Sequence, residues 1–359
     1  MDTKQPNYTS RWRLLAASAL ALAMIASVSP SMSQSRPPPP SELVVAALGG
    51  ALGQSIREVF EPFEKQYNVK IRWDTVGSSV ENVARAAATK DKPVFDLIFG
   101  DMTNLPTGTE QGIWAPIDET IVTNYKNQMS QAKSATNDAI YFGWNATSLF
   151  YDPKAFEKAG WKPPTHWSDL LKKEYCGRVG INHPNVAYGV QALIMLGGGD
   201  PANINNGIAK LAAYKECIPV LEPTAAKLEE KVSLGEYSIG VLGSNRIIPL
   251  TKKGISVKFI LPEEGPVMYA SGVSPIKNSP NPRLAQEFCN WILRPDVQVQ
   301  LMEKAFYGPT NSTVKVPKEY AELGVPDADV VKRSIFISGK TITDNRRAWT
   351  RQLDRAMEK

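Results

Sequence analysis

Short apolar strands alternating with amphipathic helices constrain this chain more than any other feature, because that order builds a largely parallel sheet covered by helices. Residues 43–48 form a continuous apolar run, as a doubly covered strand requires. A glycine-rich turn follows, and then Ile56, Val59, Phe60 and Phe63 recur at helical spacing. Residues 69–73 read as the next strand. Val80, Val83, Ala84 and Ala87 mark one face of the next helix, and residues 94–99 read as a third strand. After a long extended aromatic segment at 141–151 the alternation begins again. It predicts a helix near 167–173, a strand at 178–181, helices at 185–196 and 204–215, and strands at 218–221, 238–242 and 257–261. From Pro282 onward the chain is helical, with Leu284, Phe288 and Ile292 and then Val299, Leu301 and Met302 on apolar faces. No internal repeat of solenoid length occurs. Two α/β lobes joined by extended crossovers fit this order better than one large sheet.

The ends and the charge narrow the classes further. Lys4, Arg11 and Arg13 precede an apolar run at 14–28, and Ser31 and Ser33 are small residues at the cleavage-reading positions. Residues 1–33 therefore read as a cleaved secretory signal peptide, too short in its apolar part for a membrane anchor. No cysteine follows the run to accept a lipid, so the mature protein is expected to be exported and released. Arg36 and the four prolines after it make residues 34–41 a stiff leader. The signal carries a net +2, which lowers the formal charge from +5 to +3. So mild a charge, with no Lys/Arg block, gives no footprint for nucleic acid.

Cys176, Cys217 and Cys289 remain in the mature chain. In an oxidising compartment one pair and one leftover thiol is the natural reading. Cys176 and Cys217 each immediately precede a strand-like run, so they are expected to pair. Cys289 lies among Leu284, Phe288, Trp291 and Ile292 and reads as a small buried hydrophobe.

Candidate chemistry is sparse. The turn Gly49-Gly50-Ala51-Leu52-Gly53, with Asp74 at the end of the next strand, imitates a dinucleotide fingerprint, but its glycine spacing is wrong. Gly50 is better read as a place where backbone approaches a ligand or turns sharply. Neither metal-ligand spacing nor a nucleophile elbow is present, so no metal, cofactor or catalytic residue is expected. Ser78 and Ser79 open a helix with Glu81 three residues after Ser78; they either form a capping box or hold an anion there. Asp101 follows the third strand, on the side where ligands of open α/β sheets bind, and either caps a helix or accepts a ligand amine. Arg246 sits where a strand gives way to a helix and is either a carboxylate clamp or a solvated side chain. Tyr141, Trp144, Tyr188, Tyr269 and Tyr307 occupy crossover or loop positions, where clustered aromatics suit flat or cationic ligands.

Several local sequences carry a family resemblance. Phe95-Asp96-Leu97-Ile98-Phe99-Gly100-Asp101 resembles a third strand and pocket turn. Gly143-Trp144-Asn145-Ala146-Thr147-Ser148-Leu149-Phe150-Tyr151-Asp152 resembles a crossover. Pro164-Thr165-His166-Trp167-Ser168-Asp169-Leu170-Leu171 resembles a helix start, and Gly308-Pro309-Thr310-Asn311 a late turn. Their order resembles the bacterial ABC-importer solute-binding proteins, in the branch of spermidine/putrescine, thiamine, iron and phosphonate receptors, over nearly all of the mature chain. The resemblance implies an α/β, two-lobed periplasmic-binding-protein fold of type II, each lobe a mostly parallel sheet flanked by helices, with two hinge crossovers. Its expected lobes are 42–141 with 273–310, and 142–272 with 311–359; the final helices pack back onto the second lobe. It implies a monomeric periplasmic receptor that closes on a small solute and delivers it to an inner-membrane ABC permease. Asp101 falls where the polyamine receptors place a pocket serine, Tyr269 near their stacking tryptophan, and Ser271 where they place an amine-gripping aspartate. Near their second acidic cluster stand Asn185 and Tyr188. These departures point away from an ordinary polyamine. An amine on Asp101 and an acid on Arg246 or the Ser78/Ser79 helix start would suit an amino-acid-like or other zwitterionic compound. The alternatives are an exported NAD(P)-type oxidoreductase using the 49–53 turn, or the same binding protein serving a sensor.

Overall fold

Apolar runs make the inner strands of this protein, and burial explains them: Leu43, Val45 and Ala46 of the first strand are wholly shielded from solvent, whereas the edge strand at 69–74 alternates apolar and charged residues. The structure is a computed structural model that describes residues 41–358 except Leu48 and Pro219. The expected signal peptide, and the leader up to residue 40, lie outside the described residues. Three strands, β1 (Ser41–Ala46), β2 (Val69–Asp74) and β3 (Leu97–Asp101), pair in parallel around β1. The next, β4 (Ile140–Tyr151), is buried along all twelve residues. Then come β5 (Val179–Gly180), β6 (Ile239–Gly243), β7 (Lys258–Ile260), β8 (Val267–Pro275), β9 (Gly308–Pro309) and β10 (Ile335–Phe336).

The sheet runs β2-β1-β3-β8-β4-β6-β5, with β4 and β8 as its spine. They pair antiparallel with each other, while β8 lies antiparallel to β3 and β4 antiparallel to β6. Parallel pairing joins β1 to β2 and β3 and β5 to β6 on the flanks, and the short β10 to the outer part of β8. A chain that crosses from one half to the other and returns must run against its neighbours, so the two crossovers are antiparallel.

Two local expectations change. Among the described residues of 218–221 no strand forms; the parallel bridge Asn182–Glu222 lies just after them. Pro219 lacks the N–H that a ladder needs. The helix expected near 167–173 is a 3₁₀ turn, Trp167–Leu171, started by Asp169, whose carboxylate accepts from the Thr165 and His166 backbone N–H groups.

Among the described residues, buried side chains form two large outer cores, one between them, and a small cluster of Ile248, Met302 and Val325. In the first, Phe60 stacks on Phe288 at 4.0 Å, and Trp291 donates its indole N–H to the Val59 carbonyl. Cys289 is fully buried there, and burial pushes its thiol far up. The second gathers Trp167, Tyr175, Leu193 and Leu211 with Ile342, Trp349 and Leu353. Cys176 and Cys217 are bonded at its edge, 41 residues apart in sequence. Closing a loop of that size contributes about 4 kcal/mol in the chain-entropy model. The middle cluster draws Ile98, Leu105 and Tyr141 together with Tyr188, Leu242 and Ile247.

The last helix, Gly339–Glu358, touches more than the resemblance implied. Ile342, Trp349 and Leu353 belong to the second core, and Asp354 meets His183 at 2.9 Å. Its first turns, however, lie on the β3 side: Thr343 donates to the Thr103 carbonyl and Lys340 pairs with Glu110 at 3.2 Å. Among the described residues no helix is long and apolar enough to cross a membrane.

Candidate functional site

The candidate residues converge where β3, β8 and β4 lie side by side. Asp101 ends β3 opposite Ser271 of β8, and Ser271 pairs across with Gly143 of β4. Ser271 donates to the Tyr307 hydroxyl at 3.2 Å and accepts from the Asn145 side-chain amide at 3.2 Å. Two residues along β8, Tyr269 meets Tyr188 hydroxyl to hydroxyl at 3.2 Å. Glycines make room for these rings. A Cβ at Gly143 would stand 2.7 Å from the Tyr307 ring, and one at Gly243 would stand 2.7 Å from the Tyr188 hydroxyl.

Burial sets the electrostatics. It raises Asp101 above the ordinary carboxylate range, even though the Thr103 hydroxyl and backbone N–H both donate to one carboxylate oxygen. Burial also lifts the Tyr307 phenol to about 12 and the Tyr269 phenol well above its usual value. These tyrosines are therefore neutral hydroxyls near pH 7, able to donate or accept. No arginine or lysine stands within ion-pair distance of Asp101 among the described residues.

The other candidates divide. Gly50 is the first residue of the helix Gly50–Glu58, directly after β1 and its turn. Ser78 is exposed and forms the capping box: its hydroxyl accepts from the Glu81 N–H, and Glu81 accepts from the Ser78 N–H. Ser79 is the first residue of that helix. Trp144 is fully buried, edge-on to Phe336 at 5.7 Å, with its indole N–H unpaired. Arg246 stands in the first turn of the helix Ser244–Lys252 but is already paired with Glu229 at 2.7 Å. Burial opposes its charge, and Tyr188 and Glu229 outweigh that. Asp74 is held by Arg85 at 2.7 Å, which takes from the nucleotide reading the carboxylate it needs for a ribose. Among the described residues no three His, Cys, Asp or Glu side chains gather as metal ligands.

Two residues were missed. Asn145 is completely buried and its side-chain carbonyl has no hydrogen-bond partner. Arg346, on the last helix, has a buried Nε without a partner and feels the Asp101 charge. A signal for Arg346 was available: it stands between Ile342 and Trp349 at helical spacing, a cation on the stripe that carries the buried side chains.

This architecture has relatives. The family model of bacterial extracellular solute-binding proteins matches residues 58–325. The chain belongs to that family. The solute-binding protein is 25% identical over 336 residues to the spermidine/putrescine-binding periplasmic protein of Escherichia coli, which spans 89% of this chain and 90% of the relative. It is 22% identical over 283 residues to a gamma-aminobutyric acid-binding protein of Pseudomonas aeruginosa, covering 75% and 77%. Its fold matches the crystal structure of a spermidine/putrescine ABC transporter substrate-binding protein of Streptococcus pneumoniae with TM-score 0.73. That match has 17% identity and covers 88% of this chain and 99% of the other. The solute-binding protein thus has the two-lobed periplasmic-binding-protein fold, with β4 and β8 as its long crossover strands.

Proposed function

We propose that the protein is the periplasmic solute-capturing component of an ABC importer and makes no covalent change to its cargo. Residues 42–141 with 273–310 form one lobe, and residues 142–272 with 311–359 form the other. The crossovers near 142–145 and 271–275 act as hinges, and the lobes close on one small charged organic solute, amine-bearing or zwitterionic. Differential affinity for the closed state drives that closure. The protein acts as a monomer, hands its solute to an inner-membrane permease and binds no nucleic acid.

One observation carries this reading: a half-buried carboxylate, Asp101, stands opposite Ser271, close to the hydroxyls of Tyr188, Tyr269 and Tyr307, where β3, β8 and β4 lie side by side. A desolvated acid without an ion-pair partner is costly, and a cationic group of a ligand relieves that cost. The related polyamine and amino-acid receptors support an amine as that group.

The test is a thermal-shift screen of the mature protein against amines, amino acids, carboxylates and phosphonates. A true ligand at one hundred times its Kd stabilises the fold by about 2.7 kcal/mol. Small-angle scattering with that ligand should show a more compact particle; unchanged compactness would rule out lobe closure.

A further inference from the structure

We propose that Arg346 receives the carboxylate end of the solute, so that the site takes a short aliphatic zwitterion whose ammonium end rests on Asp101. This rests on the receptor reading above and adds the ligand class.

The first support is elimination. Three groups stand as acid-binding ends, and two are already satisfied internally. The Ser78 hydroxyl and backbone are taken up by Glu81, and the Arg246 guanidinium closes on Glu229 at 2.7 Å. Arg346 makes no ion pair among the described residues, and its Nε is buried without a hydrogen-bond acceptor. The residue is only half-buried, but its shielded Nε–H has given up water without gaining an acceptor, a cost that an incoming anion would relieve.

Placement is the second support. The last helix is fixed against the Asp101 turn, where Thr343 donates to the Thr103 carbonyl and Thr103 donates to the Asp101 carboxylate. Arg346 lies three residues after Thr343, next to it on the helix surface. Burial lowers the affinity of Arg346 for its proton, and the Asp101 charge partly restores it, so the two groups share one field. They nevertheless remain beyond ion-pair distance. Opposite charges that share a field without closing on each other leave room for a molecule carrying both signs.

The third support is the surrounding surface. Tyr269 and Tyr307 offer neutral hydroxyls, and with Tyr188 they offer ring faces beside Asp101, which suit a methylene chain between two charged ends. A diamine would set its second ammonium against the guanidinium, and a dicarboxylate would set its second acid against Asp101. Each places like charges together in a poorly solvated site.

The test uses probes matched in length: 5-aminopentanoate, 1,5-diaminopentane and pentanedioate, with their four-carbon counterparts, titrated by calorimetry into the mature protein. Wild type should bind the aminoalkanoate most tightly. In Arg346→Gln the affinity ratio of aminoalkanoate to diamine should fall about tenfold or more, and Arg346→Lys should restore part of it, since the charge returns without the planar fork. Asp101→Asn should weaken both amine-bearing probes. Tighter binding of the diamine by wild type, or an unchanged ratio in both Arg346 variants, would overturn the assignment of Arg346 while leaving the receptor reading intact. Binding of no amine, amino acid or carboxylate would overturn both.

Discussion

Arg246 and Arg346 stand on different helices, one beside the Tyr188 hydroxyl and the other in the field of Asp101, and the fold treats them differently. Arg246 finds Glu229 at 2.7 Å and the Tyr188 hydroxyl beside it. Its charge is neutralised before any ligand arrives. Arg346 has a buried, unpaired Nε and only the field of Asp101. A paired arginine repays its own desolvation, whereas an unpaired one leaves that cost standing until an anion binds. Residue type marks both as candidate clamps, but only the partner list separates them.

The sharpest way to break this contrast is to remove each cation in turn. Arg346→Gln should cost about tenfold to a hundredfold in affinity for an amino-carboxylate ligand, the range for a lost charge-assisted hydrogen bond. Arg246→Gln should cost less in affinity. Equal losses by calorimetry would erase the distinction.

The opposite pole is tested by pH. Burial holds Asp101 above the ordinary carboxylate range, so its proton is bound more tightly folded than unfolded. In the ligand-free protein this group therefore contributes less stability as pH rises from its unfolded to its folded value. Ligand binding runs the other way. An amine needs the ionised acid, so affinity should fall about tenfold per unit as pH drops below the folded value. Asp101→Asn should flatten both profiles; an unchanged binding profile in that variant would place the amine elsewhere.

Glu229→Gln should have a smaller effect, about 1 kcal/mol by chemical denaturation, because the pair it breaks is partly exposed. If that variant gained strong affinity for simple carboxylates, Arg246 would be the acid end once released. Ser78→Ala should cost about 1 kcal/mol through the lost cap. A loss of ligand affinity well beyond a few-fold in the same variant would move the acid end to that helix start.

Much of the fold was legible in the chain. The apolar runs became strands, and the helical spacing of Phe60, Phe63 and Phe288 became the first core. The antiparallel spine was not legible, because strand direction depends on which half the chain has just left. Tyr188, Tyr269, Ser271, Tyr307 and Asp101 were singled out from position and resemblance, and the structure places them as neighbours. Trp144 looked the same in sequence, yet its ring is enclosed against Phe336, 192 positions further on by residue number.

What the sequence by itself determined lies within a few residues along the chain. The capping box of Ser78 and Glu81 spans three positions, and the amphipathic stripes span a turn or two, so local geometry suffices to form them. What only the tertiary structure decided is which charges are satisfied. Glu229 reaches Arg246 from a neighbouring helix, while Arg346 and Asp101 come from far ends of the chain and stop short of each other. Desolvation and pairing depend on all the elements packed around a group, and no window of sequence contains them.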